Sequence, residues 1–387
     1  MTLFTTRGTQ GFSNTMNLFD NILRTQRGPA TDSEDTFSFL NRSAWPASEE
    51  VRNLLESFFR RYPSSESAEL QRKFKAQFDS AFFELFLHEL LLRLGCEVAV
   101  HPNINGTGAK PDFLARFHEG QEVIVEAVIA TDRTDKERRR DARLNALYDA
   151  INSKTISPNF FICLGPISDR DAIPTPKKIR KFIKERIAGL DPDVVARALR
   201  IGCELPRWTY RDEGGFELEI TATPKMPEFR GNPAIRAIGA YPGEARWGDS
   251  RAALKKSIDD KATKYGDLDR PFVIAVNVTS KWGIDRDVVV KALFGSKELG
   301  DESDGVWNAT RNTRLSGVLV TMMGPWSIHC ASLCLYHNSF AKRSCREIPW
   351  KISQAIAREP EMQWLEGTNP PELFQLPDGW PGERMDE

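Results

Sequence analysis

"FFELFLHELLLRLG" at 82–95, followed by "PDFLARFHEGQEVIVEAVIA" at 111–130, is the stretch on which the reading of this chain turns. Most of it is what a buried helix and sheet need, yet Glu84, Asp112 and Glu126 interrupt it where a core would hold carbon. Upstream, Leu70, Phe74, Phe78, Phe82 and Leu85 recur in helical spacing and predict one long helix over 67–94, with Gly95 as its left-handed cap. Three short runs rich in Val, Ile and Phe follow: "CEVAVHPNI", "PDFLARFH" and "EVIVEAVIA". The "HEGQ" between the second and third reads as a hairpin turn.

Alternate side chains of a strand share a face, so Glu126 and Val128 point one way while Val125, Ala127 and Ile129 point the other. Burying an isolated charge costs several kcal/mol, so Glu126 needs a cation, a hydrogen-bond donor or water beside it. Asp112 opens the preceding strand across the hairpin. Two carboxylates from adjacent strands, with a third from a helix packed on the sheet, make a hard oxygen site suited to Mg2+ or Mn2+.

The next elements extend the pattern. Residues 134–152 read as a helix with Leu144, Leu147, Tyr148 and Ile151 on one face, and "NFFICLG" at 159–165 as a buried strand. The order is then helix, three-stranded meander, helix, strand. With Pro111-Asp112 at the start of one strand and Glu126-Ala127-Val128 on the next, the chain resembles the PD-(D/E)XK nuclease superfamily over roughly residues 67–165. Glu84, 11 residues before Gly95, stands where some branches carry a helix glutamate. The resemblance implies an α/β protein with a restriction-endonuclease-like core, and metal-assisted hydrolysis of phosphodiester bonds, most simply of DNA. It implies Mg2+ (or Mn2+) held by Asp112 and Glu126, with Glu84 holding it directly or through water. The alternative is a catalytically impaired module of the same fold that binds nucleic acid or assembles with other proteins.

One departure from the motif matters: Val128 stands where the family has lysine. Candidates for a cation from elsewhere are Lys110, which precedes the Pro-Asp pair, and Arg140 on the following helix. His88, one turn after Glu84, could act as ligand, supporting donor or base. Lys261, in "DDKATKYGDLDRPFVIAVNV", joins these candidates if the strand beginning at Pro271 belongs to the same sheet.

Nucleic acid leaves a local electrostatic footprint even on a nearly neutral chain, and here 53 Lys plus Arg face 54 Asp plus Glu. "KKIRKFIKER" is the clearest basic run. It reads as an amphipathic helix that begins at Pro176 after Thr175 and offers Lys177, Lys178, Lys181 and Lys184 to phosphates; a solvated helix face is the plain alternative. "HCASLCLYH" invites a zinc site, but a strand would separate Cys330 from Cys334 and turn His329 and His337 the other way.

The organisation expected is a flexible arm at 1–45, a core at 46–200, an α+β half at 201–345 that extends the same sheet or builds another, and a peripheral segment at 346–387. Six cysteines without a CxxC pair fit a reducing compartment. With no secretory leader and no run of 18 apolar residues, a cytoplasmic protein without membrane contact is expected.

Overall fold

The structure is a computed structural model that describes residues 16–104, 110–153, 157–167, 173–232, 235–242, 249–266, 268–279, 283–295, 304–358 and 361–383. It is a mixed α/β protein with two sheets. In chain order the described helices are α1 Thr36–Arg42, α2 Pro46–Arg61, α3 Ser64–Ala76, α4 Phe78–Arg93, α5 Asp135–Asn152, α6 Pro176–Ile187, α7 Pro192–Arg200, α8 Ser250–Ala262, α9 Arg286–Phe294 and α10 Pro370–Phe374. The strands are β1 Glu97–Val100, β2 Phe113–Arg116, β3 Glu122–Ala130, β4 Phe160–Ile167, β5 Arg207–Arg211, β6 Glu217–Pro224, β7 Ile238–Ala240, β8 Phe272–Val278, β9 Gly317–Thr321, β10 Cys334–His337, β11 Ser353–Arg358 and β12 Glu361–Leu365.

Two compact units result. The first comprises Met1–Pro29, Asp35–Asp132 and Gly248–Glu387; the second comprises Ala30–Glu34 and Arg133–Trp247. The first carries an eight-stranded sheet in the order β1-β2-β3-β8-β9-β10-β11-β12. Its first three strands form the expected meander, with Phe113 opposite Val125 and Leu114 opposite Ile124. Gly120 closes the hairpin at φ 88°, a backbone region that costs a side-chain-bearing residue energy and glycine almost none.

Strand β8 lies parallel to β3, with Glu126 beside Ile274 and Val128 beside Val276. Every residue of β8 is buried, which is why its sequence is an almost unbroken apolar run. One face of the sheet holds Val123 and Val125 against Phe82, Phe86 and the other apolar groups of α2, α3 and α4. The other holds Ile124, Ala130 and Ile274 against Leu254, Ile258 and Ala262 of α8 and Val289 of α9.

The second unit has its own four-stranded sheet, β5-β6-β4-β7, and its own core of Leu144 and Leu147 from α5, Ile179 and Ile183 from α6, and Ile162, Leu218 and Ile220 from the strands. Thr134 and Glu137 close a reciprocal capping box at the start of α5.

These facts correct the sequence reading in several places. The helix and strand at 134–165 belong to the second sheet; the helix and parallel strand that follow β3 in the first sheet are α8 and β8. A boundary at 200 therefore cuts through the second unit instead of separating two. The helix expected over 67–94 breaks at Gln77 (φ −146°, ψ 60°), which redirects the chain so that the Phe74 and Phe78 rings meet edge to face at 5.4 Å. Of the expected N-terminal arm, residues 1–15 lie outside the described residues, while Leu18, Phe19, Phe37 and Leu40 are buried in the main core. The segment from 346 is not peripheral either: β11 pairs with β10, and Trp350, Phe374 and Trp380 are buried. In "HCASLCLYH" only Cys334–His337 is strand, the 3-10 turn Ile328–Cys330 precedes it, and His337 is hydrogen-bonded to Gln354 at 2.8 Å.

Candidate functional site

Strand β3 carries Glu126 on the face covered by α8, and the side chain is fully buried. Its charge is answered from α8 and the turn after it. Lys261 and Lys264 donate to Oε1 from 2.7 and 2.8 Å, and the Tyr265 hydroxyl donates to Oε2. Residues i, i+3 and i+4 at a helix end fall on one side, so "KATKY" delivers all three groups to one point. Burial pushes the Glu126 carboxyl up, but hydrogen bonds from Lys261, Lys264 and Tyr265 more than offset this and hold it below the usual carboxylate range.

Asp112 enters from the start of β2, where the Ala127 N–H donates to its Oδ2 from 2.7 Å. Burial, reinforced by the Glu126 carboxylate and then by Glu84, raises its pKa to about 6 despite that hydrogen bond. Asp112 is thus a carboxyl whose ionisation is disfavoured by the acids near it. A bound cation would relieve that repulsion.

Glu84 comes from α4, on the sheet face opposite to α8. It is buried, accepts from the Tyr62 hydroxyl at 2.7 Å and pairs with Lys73 at 3.1 Å. His101 lies close by, with Nε2 3.8 Å from Glu84 Oε1, Nδ1 3.2 Å from Glu66 Oε2, and its backbone N–H on the Asp112 carbonyl at 2.9 Å. At φ 45° it is one of few non-glycine residues here in the left-handed region, where a side chain costs energy. His101, Tyr62, Lys73 and Tyr265 are not singled out from the sequence, and Lys264, which with Lys261 precedes the buried strand, is not among the cation candidates read from it. For Lys264 and Tyr265 the signal was their spacing from Lys261; for His101 no local signal marks the conformation.

The other expected site residues fall as follows. Lys261 reaches Glu126 because β8 does join the first sheet. Val128 shares the Glu126 face and packs in the apolar cluster under α8. The Lys110 side chain is exposed, and its carbonyl lies 3.1 Å from the Tyr265 hydroxyl. Arg140 belongs to the second unit, where its Nη2 is 3.6 Å from Asp141. His88 is buried against the Tyr62 ring at 4.8 Å, and burial followed by the Arg61 charge pulls its pKa down to about 4, so the ring is neutral. Lys177, Lys178, Lys181 and Lys184 all stand exposed on α6, with Ile179, Ile183 and Ile187 turned into the core of the second unit.

Among the described residues no group of three or more His, Cys, Asp and Glu side chains is placed to hold a metal ion. Glu84 therefore does not join Asp112 and Glu126 in a three-carboxylate cage. Asp112 and Glu126 interact electrostatically, and Mg2+ commonly binds proteins through one or two carboxylates, its shell completed by water and substrate phosphate. No described helix is long and apolar enough to cross a membrane. Comparison of the chain with family models, with curated proteins and with solved structures yields no match.

Proposed function

We propose that the first unit is a restriction-endonuclease-like core and that the protein hydrolyses phosphodiester bonds, most simply of DNA, with a divalent metal. The observation that carries this reading is the Lys261–Glu126–Lys264 cluster beside Asp112. The motif lysine absent at Val128 is supplied by α8, so an ammonium group stands next to the acid pair despite the altered motif. The order α4, β1–β3, α8, β8 supports it too, with residues 133–247 inserted after the meander.

Asp112 and Glu126 would hold Mg2+ (or Mn2+), which when bound activates water and neutralises phosphate charge. The chain's own groups do the rest. Asp112 must be ionised, which its elevated pKa permits above about pH 6. Lys261 and Lys264 share one oxygen of Glu126, so one of them can turn to a phosphate oxygen while the other keeps the carboxylate paired. Tyr265 holds Oε2 and with it the orientation of Glu126. The exposed lysines of α6 offer a sequence-independent surface for phosphates.

A second reading is favoured by a specific observation: both Glu126 oxygens already have protein donors, as in a buried ion pair that stabilises a non-catalytic module. Plasmid nicking decides between them. With Mg2+ or Mn2+ the enzyme reading requires nicking that chelator abolishes and Asp112→Ala removes. Intact plasmid, single-stranded DNA and RNA under all these conditions, with nucleic-acid binding indifferent to Asp112→Ala, would establish the binding module instead.

A further inference from the structure

Away from this site, the N-terminal segment and α2 enclose a depression of about 490 Å³ open to solvent, and three arginines line it: Arg24, Arg52 and Arg60. Arg52 is 7% exposed, and its Nη1 donates to the carbonyls of Leu40 at 2.6 Å and Ser43 at 2.8 Å, where α1 ends. That accounts for one nitrogen. Its other nitrogens have no partner among the described residues. Arg24 spends its donors on the backbone carbonyls of Asp20, Ile22 and Asn41, which are acceptors without formal charge. Arg60, two helical turns beyond Arg52 on α2, is exposed and has no hydrogen bond or ion pair among the described residues.

Three guanidinium groups therefore face one cavity without a carboxylate bound to any of them. The acids that line it are engaged elsewhere. Glu56 accepts from the backbone N–H groups of Leu18 and Phe19 at 3.1 and 2.8 Å, and Asp20 accepts from the Asn41 amide at 2.8 Å. Burial, and next the Arg24 charge, pull Arg52 down to about 10 against a smaller upward pull from Glu49. A buried charge without a counter-ion is costly, and forked guanidinium groups match the oxygens of carboxylates and phosphates, of which a phosphate dianion brings the greater charge to three arginines.

We infer that this cavity is a binding site for the terminal phosphate of a small phosphorylated ligand, held by Arg24, Arg52 and Arg60. The site is independent of the proposed phosphodiester chemistry. A mononucleotide or sugar phosphate is the class that fits: its dianionic end meets the arginines, and its hydroxyls meet the asparagine amides that complete the polar lining.

Titration calorimetry of the full chain with inorganic phosphate and with AMP, at constant ionic strength, tests this. The expected result is saturable binding of either probe, weakened roughly tenfold or more in Arg60→Gln, whose side chain supports nothing in the fold. Arg24→Gln should weaken it likewise, whereas Arg52→Gln is avoided because Arg52 caps α1. No heat with phosphate or AMP overturns the inference, as does binding unchanged in Arg60→Gln and Arg24→Gln. Arginine-dependent binding confined to an oligonucleotide with no terminal phosphate overturns it too, since a backbone diester would then be the ligand.

Discussion

Two fully buried glutamates in the first unit each hold two cations, and they differ in what surrounds them. Glu89 on α4 accepts from Arg61 and Arg93, both at 2.7 Å through Oε1, and its Oε2 has no partner among the described residues. Burial outweighs both arginines and its pKa is raised. Glu126 accepts from two lysines and a tyrosine, both of its oxygens are used, and its pKa is lowered. Burial, and next the Glu126 charge, raise the pKa of a second acid, Asp112. Glu89 is thus a clamp between α2 and α4 made with permanently charged, planar partners. Glu126 is a carboxylate with flexible ammonium partners and a like-charged neighbour, Asp112, whose ionisation it disfavours.

The largest expected effect breaks the symmetry between the two clusters. Glu126→Ala or Asp112→Ala should lower Mg2+-dependent nicking by roughly 10³-fold, corresponding to several kcal/mol of lost transition-state stabilisation. Glu89→Gln should leave nicking per folded molecule unchanged. Equal loss in all three would mean that Glu126 matters only as Glu89 does, for the fold.

Stability comes next in size. Removing the acid from either pair leaves two cations partly buried, so Glu126→Gln and Glu89→Gln should each lose about 3–5 kcal/mol in urea unfolding of the metal-free protein. A marked shortfall at Glu126 would show its lysines relaxing to solvent, as flexible partners can.

Asp112 should behave oppositely. Its folded pKa, about 6, lies above the reference of 3.8, so between these values the native state holds a proton that the unfolded chain has released. The stability this gives is complete below the unfolded value and is lost as pH rises through about 6. Asp112→Asn should therefore stabilise the metal-free protein at pH 8, by on the order of 3 kcal/mol, and make no difference near pH 3. Mg2+ should raise the Tm of the unsubstituted chain at pH 8 and lose that effect below about pH 6, as Asp112 takes up its proton. For Glu126 the shift is downward, so its contribution is present above the unfolded value and is lost as pH falls through the folded one.

The smallest expected change tests the exposed face of α6. Lys181→Glu with Lys184→Glu should leave the Tm nearly unaltered, weaken nucleic-acid binding irrespective of sequence, and reduce the salt slope by about one unit for each lysine that no longer meets a phosphate. An unchanged slope would make this helix a solvated face and nothing more.

Local sequence set most of the elements and the acids on them, though not the break at Gln77 between α3 and α4. The left-handed Gly95 at φ 87°, the hairpin at Gly120, the meander, the alternation that turns Glu126 and Val128 to one face, and the Thr175–Pro176 start of α6 were all legible, because each depends on a few adjacent residues. Which helix and strand follow the meander was not. Residues 135–167 and 250–278 both read as helix then buried strand, and only pairing places the first in a separate sheet and the second beside β3. The partners of Glu126 come from 135 and 138 residues away. Those of Glu84 depend on the break at Gln77 and on the turn at His101. Propensity and period act over a few residues, whereas strand pairing and the neutralisation of a buried charge are settled among groups far apart in the chain, which only the packed tertiary structure brings together.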